Sequence, residues 1–371
     1  MNWKINVLAP LTTQIVGSYT KPKWLIRYER AFRFDESAWR VERDARDQAL
    51  DDAVCLAVFD QERAGLDLLT DGEARRVAYD RYIYAKLDGI DSKSLGRREM
   101  PQALNPVWRA TRANTVEERN KVQTELPRVV APVRWREPIT VGDLEFAKKL
   151  TSRPLKATIV GPLTIMSRIL DEYYGDERRL IHALASALNK ELRALQDAGT
   201  SVLHVDEPIF HFFPEKAEKI GMAAIEELAD GISVPLILNT NYGSSYGSVE
   251  KRPHDGYRQV LSIMSKIVGI DAISLEYEEP GYTGEMLTAC GDKHVVLGLL
   301  NLGKTEIETP EHIAARIRDA LKFVPLERLH PTNDGGFWHV QKDVAFAKMK
   351  ALVDGTRIIR SEYKAELAAR R

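Results

Sequence analysis

A chain of 371 residues with 44% hydrophobic and 29% charged side chains can bury a large core, which excludes a mainly disordered protein. Its 53 basic and 54 acidic residues leave a formal net charge of −1, so neither a nucleic-acid footprint nor a membrane-attracting surface is expected. Cys55 and Cys290 are the two cysteines and read as reduced thiols. With no basic-then-apolar leader and no apolar run near the ~20 residues of a membrane span, a cytoplasmic protein is expected.

In chain order, short apolar runs alternate with long helical patterns, the signature of βα units. The predicted strands are Thr13–Gly17, Leu66–Thr70, Leu155–Val160, Ser201–Val205, Pro235–Asn239, Ala272–Leu275, His294–Leu299 and Arg328–Thr332. Eight is the number a closed barrel needs, so the expected fold is α/β, a single (β/α)8 TIM barrel over residues 1–371; counting alone leaves a doubly wound sheet open. The Arg-, Pro- and Glu-rich stretch at about 82–152 fits no single βα unit and reads as an insertion after the second strand, a hairpin or lid over the barrel mouth.

Asp176 is predicted to cap a helix carrying Leu180, Leu184, Leu188, Leu192 and Leu195 on one stripe, with Gly199 as its stop. Gly243–Ser248 reads as a mobile βα loop. Thr309-Pro310-Glu311 is a second helix start, with Ile313, Ile317 and Leu321 as the buried stripe. Arg357–Arg371 reads as a solvated terminal helix.

In a barrel of this kind, chemistry sits where the strands finish. The predicted strand ends carry Ser18, Asp71, Glu73, Gly161-Pro162, Asp206, Glu207, Asn239, Asn241, Glu276, Asn301, Asn333 and Asp334. Such a polar ring suits a zwitterionic or polyhydroxy small molecule. Turn and cap duty explains any one of these residues about as well, and least well Glu73 and Glu276, because carboxylates beside apolar strands need a partner or ligand. Among the histidines, His204 and His330 fall within strands and read as structural. His339 follows a flexible turn, with Asp334 placed to orient it, and is a candidate general acid or base. Tyr242, Tyr246 and Tyr277 either stack on a substrate or wall the pocket.

Five stretches carry a family resemblance: Gln14-Ile-Val-Gly-Ser18, Leu69-Thr-Asp-Gly-Glu-Ala-Arg-Arg76, Lys156-Ala-Thr-Ile-Val-Gly-Pro-Leu-Thr-Ile165, His204-Val-Asp-Glu-Pro208 and Val296-Leu-Gly-Leu-Leu-Asn301. The last leads on to Thr309-Pro-Glu311 and to Glu327-Arg-Leu-His-Pro-Thr-Asn-Asp-Gly335. In order and spacing the chain resembles the catalytic barrel of the cobalamin-independent methionine synthase family and its short stand-alone homologues. The resemblance implies a methyltransferase with a folate-type methyl donor and no cobalamin. It also implies that Val16, Gly17, Ser18, Glu73 and Asp206 hold an amino acid substrate.

The family's zinc is held by a His-x-Cys after the fifth strand, a Glu after the sixth and a Cys after the eighth. Asn241 and Gly243 stand at the His and Cys positions here, Glu276 keeps the glutamate, and Asp334 stands at the second cysteine. Asn241, Glu276 and Asp334 offer oxygen and amide donors in place of the imidazole and thiolates zinc favours, so no conventional zinc site is expected. Arg168 aligns with the folate-stacking tryptophan, and Gly303, next to Lys304, with the acid/base residue of the seventh-strand loop. Glu276 and Asp334 are then candidates for acid/base or electrostatic work.

The leading expectation is a methyl or other one-carbon transferase acting on a small amino-acid-like substrate. A metal-independent lyase or decarboxylase, the chemistry of uroporphyrinogen decarboxylase in the same broad superfamily, and a non-catalytic binding protein or partner subunit stay open, as does a homodimer.

Overall fold

The computed structural model describes residues 8–28, 36–78, 80–99, 123–243 and 251–364. Nine strands are described: β1 (Leu87–Glu99), β2 (Gln123–Trp135), β3 (Lys156–Val160), β4 (Leu170–Asp171), β5 (Val202–Asp206), β6 (Leu236–Thr240), β7 (Ala272–Leu275), β8 (His294–Gly298) and β9 (Leu329–Thr332). Six of them form one parallel sheet in the order β3-β5-β6-β7-β8-β9. Two further segments bridge in the same parallel sense, Leu69 to Leu155 and Gln14 to Leu68. The Gln14 N–H also donates to the Pro331 carbonyl of β9 at 3.2 Å.

Side chains alternate across a strand, and the sequence uses both faces differently. Leu203 and Val205, Leu236 and Leu238, and Ile273 and Leu275 point toward the helices and join the main core. On the other face Leu8, Leu68, Val202, Ile237, Ala272 and Val296 make a separate apolar layer. Beyond that layer the same face turns polar along each strand: Val202-His204-Asp206, Ile237-Asn239-Asn241 and Ala272-Ser274-Glu276. The polar groups therefore gather at the C-terminal ends because each of these strands runs from apolar to polar at a spacing of two, ending on a carboxylate in two of them and on an amide in the third.

The helices follow their sequence signals. The Asp176 carboxylate accepts from the N–H groups of Arg178 and Arg179 at 2.7 and 3.2 Å and starts Glu177–Asp197, whose five leucines are buried. Gly199 lies at φ +84°. Thr309 Oγ1 accepts from the His312 N–H at 3.1 Å and starts Pro310–Ala320, with Ile313 and Ile317 buried and Leu321 partly so. The final described helix, Lys342–Glu362, buries Ile359, so the segment after Arg357 is not wholly solvated; residues 365–371 lie outside the described residues. Cys55, within Arg46–Ala64, and the buried Cys290 are both free thiols. Among the described residues, no helix is long and apolar enough to cross a membrane.

Within the 82–152 stretch, β1 and β2 pair antiparallel, and β2 pairs parallel with β4; residues 100–122 lie outside the described set. Glu191, fully buried in the helix Glu177–Asp197, ties this hairpin down. Its carboxylate accepts from Trp135 Nε1 at 2.9 Å and from the N–H groups of Ile139 and Thr140 at 2.8 Å each. Glu191→Ala strands those donors, and each buried unpaired donor costs about 1–3 kcal/mol. Urea denaturation is expected to show a loss of about 3 kcal/mol or more, with the parallel sheet still formed by far-UV circular dichroism.

Candidate functional site

At one side of the strand ends, two carboxylates face a common space. Asp206 ends β5, where Asn239 Nδ2 donates to it closely and Asn241 Nδ2 at 3.2 Å. Burial raises its carboxyl to about 7, opposed by the Asn239 hydrogen bond. Glu73 accepts from Thr158 Oγ1 at 2.8 Å and lies 3.5 Å from Arg76. Its backbone sits at φ +52°, a strained conformation for a residue with a Cβ. The Asp71 carboxylate supports that turn by accepting from the Glu73 N–H at 3.0 Å. A Cβ on Gly17 would overlap the Glu73 carboxylate, so glycine is what lets Glu73 lie over this backbone. A small cavity here is lined by Val16, Glu73, Arg76, Thr158, His204 and Asp206.

The Val16 N–H donates to Asn333 Oδ1 at 2.9 Å, and the Ser18 carbonyl accepts from the Phe337 N–H at 3.0 Å. The Val16–Ser18 segment is thus held against the loop after β9. His204 is buried with both ring nitrogens lacking a hydrogen-bond partner, and burial, reinforced by Lys156, keeps it neutral.

On the opposite side sits a residue the sequence reading missed. Lys251 Nζ lies 3.0 and 2.9 Å from the two oxygens of Glu276 and 3.1 Å from Glu279 Oε2. Two of the ammonium's protons go to the Glu276 oxygens, and Glu279 Oε2 stands at ion-pair distance outside hydrogen-bond geometry. Burial pulls the Lys251 pKa down, but Glu276 and Glu279 more than offset it and hold the ammonium protonated. Burial raises the Glu276 carboxyl to about 8 against the pull of Lys251. Asp334, raised to about 7 by burial, accepts from the N–H groups of Tyr277 at 2.9 Å and, more closely, Glu279. Lys251 sits in a charged, proline-containing stretch, Glu250-Lys251-Arg252-Pro253, which resembles solvated loop; only the unpaired Glu276 hinted at a cation to come.

Other candidates are placed as follows. Asn241 Oδ1 accepts from the Gly243 N–H at 2.8 Å. Glu207 caps the short helix Pro162–Ser167, accepting from the N–H groups of Leu163 and Thr164 at 2.8 and 2.9 Å. Arg168 Nη1 lies 3.4 Å from Asp80. His339 packs against Trp338 and Tyr28, with ring centroids 4.1 and 6.3 Å apart, and burial, with Lys21 adding, lowers its pKa to about 2. Asp334 gives its oxygens to residues 277 and 279 on the loop after β7. His330 bonds His294 ring to ring at 2.9 Å. Asn301 accepts from the Gly303 N–H. Tyr242 bonds Tyr282, and Tyr277 donates to Asp319 at 3.0 Å; Tyr246 lies outside the described residues.

The family profile described as "Cobalamin-independent synthase, Catalytic domain" matches residues 11–357. The chain belongs to the cobalamin-independent methionine synthase family. It is 30% identical over 355 residues to a methionine synthase of Sulfolobus acidocaldarius, covering 95% of this chain and 94% of that one. It is 29% identical over 357 residues to one of Saccharolobus solfataricus, covering 95% and 96%. Among solved structures it is similar to a B12-independent methionine synthase from Shewanella sp. W3-18-1 in complex with selenomethionine, with a TM-score of 0.83, 28% identity and coverage of 96% and 100%. A family assignment thus rests on nearly the whole chain.

Removing one partner of a buried ion pair costs about 3–5 kcal/mol. Lys251→Met is expected to lose stability on that scale, and the deficit has a pH sign. Glu276 already titrates above its ordinary 4.5, near about 8, and without the ammonium it goes higher. A carboxyl raised in the folded state contributes stability that is full below its unfolded pKa and is lost as pH rises through the folded one. Urea melts of Lys251→Met against the parent at pH 5 and pH 8 should therefore show the larger deficit at pH 8; equal deficits would contradict the ion pair.

Proposed function

We propose that this protein is a methyl or one-carbon transferase for a small amino-acid-like substrate, built on a closed (β/α)8 barrel and working without the family's zinc. The observation that carries this reading is the Lys251 ammonium held on Glu276 and Glu279. Of the four positions the resemblance gives to zinc ligands, Gly243 has no side chain to offer and the other three are otherwise engaged. Glu276 binds Lys251 with both oxygens, Asp334 accepts two backbone N–H groups, and Asn241 bonds Asp206 and Gly243. Among the described residues, no three His, Cys, Asp or Glu side chains are placed to hold a metal ion. Oxygen and amide donors already occupied by protons do not fit a thiophilic zinc.

The bridges at Gln14 and Leu69 support the barrel, since they supply the two strands missing between β9 and β3. Glu73 and Asp206 are suited to a substrate ammonium, and the Val16–Ser18 turn and Asn241 to its other polar atoms. Arg168 is suited to contact the methyl donor, for which a folate-type molecule is the family's precedent. Glu276 and Asp334 act electrostatically, because their oxygens are held by Lys251 and by backbone N–H groups. His339, held neutral by burial, is suited to hydrogen bonding to a ligand.

Transfer of a labelled methyl group from a folate-type donor to L-homocysteine, followed with and without a strong chelator, tests the proposal. Chelator is expected to leave the rate unchanged, and Glu73→Ala or Asp206→Ala to lower kcat/KM by about 100-fold, the scale of one lost charge-assisted hydrogen bond. Complete loss of transfer in chelator, restored by zinc, would overturn the metal-free reading. Carbon dioxide release without any donor would favour the decarboxylase alternative.

A further inference from the structure

The cations of the β1–β2 hairpin region and of the helix Glu177–Asp197 fall into two groups. Arg128 meets Asp91 and Glu172 at 3.2 and 3.0 Å, Arg136 meets Glu137 at 3.1 Å, and Arg193 meets Asp230 at 2.8 Å. Arg134, Arg179 and Lys190 have no ion-pair partner among the described residues, and all three line one groove.

The groove runs between β2 and the helix and holds about 330 Å³. Trp135, Tyr174 and His182 also line it, and among the described residues no Asp or Glu does. With 53 basic against 54 acidic residues, the chain has no general surplus of positive charge to account for three unneutralised cations in one concavity.

The walls are fixed in place. Tyr174 Oη accepts from the Val133 N–H at 2.9 Å, and Trp135 Nε1 donates to the buried Glu191 at 2.9 Å. Arg134 lies between these two ties, on backbone held against the helix. Across from it, Arg179 and Lys190 stand three helical turns apart, about 16 Å along the axis. The Arg179 guanidinium lies 5.7 Å from the Tyr174 ring centroid, which orients it and supplies no formal counter-charge.

Like charges on fixed walls repel one another, and an anion between them removes the repulsion. Small-molecule sites occupy about 300–1,000 Å³, whereas a stable protein partner needs about 800 Å² of each surface, so the groove fits a small molecule. Arginine forks pair with phosphate and with carboxylate alike.

We propose that this groove binds a small polyanion, carrying phosphate or carboxylate groups, that bridges Arg134 to Arg179 and Lys190 and clamps the hairpin onto the helix. Its lining shares no residue with the Glu73–Asp206 cavity, so the proposal stands apart from the transferase reading.

Calorimetric titration with inorganic triphosphate and with citrate tests it. The parent should bind at least one of them with one-to-one stoichiometry. Arg134→Gln/Lys190→Gln, with its fold checked by circular dichroism, should bind at least about 10-fold more weakly, the scale of one charge-assisted hydrogen bond. Binding of triphosphate alone identifies a phosphate-bearing ligand, and of citrate alone a polycarboxylate. Arg136→Gln/Arg193→Gln removes two charges from the same region and should leave the affinity unchanged. Equal weakening by both double variants, or no one-to-one binding of either anion, overturns the proposal. Hydrogen exchange over residues 123–135 should slow when the anion binds the parent; unslowed exchange with the anion bound overturns the clamp.

Discussion

A buried ammonium needs acidic partners, and buried carboxylates need a cation. At Lys251 the two requirements meet. The lysine arrives from the loop after β6, Glu276 and Glu279 from the end of β7, and Asp334 from the end of β9, where it holds the backbone N–H groups of Tyr277 and Glu279. Three strand ends are therefore fixed relative to one another by one charge cluster. Removing the ammonium leaves acidic groups without compensation in a site from which water is largely excluded.

The rest of the site is organised around the same problem of holding charge away from water. Asp206 is supported by two amide side chains, and Glu73 by Thr158, Arg76 and a strained turn that Gly17 makes room for. Asp206, Glu276 and Asp334 titrate well above the usual carboxylate range because burial penalises their charged form. Stability carried by these groups falls as pH rises from their unfolded values toward neutrality. The neutral, buried His339 and His204 act in the opposite sense at acid pH.

Much of the fold was legible from local pattern. The sheet strands fall within a residue or so of the apolar runs, and Asp176 and Thr309 cap the helices their side chains announce. Glu73 and Glu276 were legible as strand-end carboxylates that demanded partners, while Asp206 was legible only as one polar strand end among several. The lysines were not. Lys251 and Lys21, both buried, each sit beside prolines and other charges, in the composition of a solvated loop, and nothing in a one-dimensional pattern says that a side chain folds inward. The pairing of Asp334 with His339, expected from their closeness in sequence, is replaced by bonds from Asp334 to a loop some 55 residues earlier, since long-range contacts carry no local signal.

The central claim is that a lysine ammonium, and no transition metal, is the cation on Glu276. Crystals grown with excess Zn²⁺, with anomalous difference maps recorded on both sides of the zinc absorption edge, test it most directly. The account predicts no anomalous peak at Glu276 and clear density for Lys251 across its carboxylate. A full-occupancy zinc peak there, with the Lys251 side chain turned away, would contradict it.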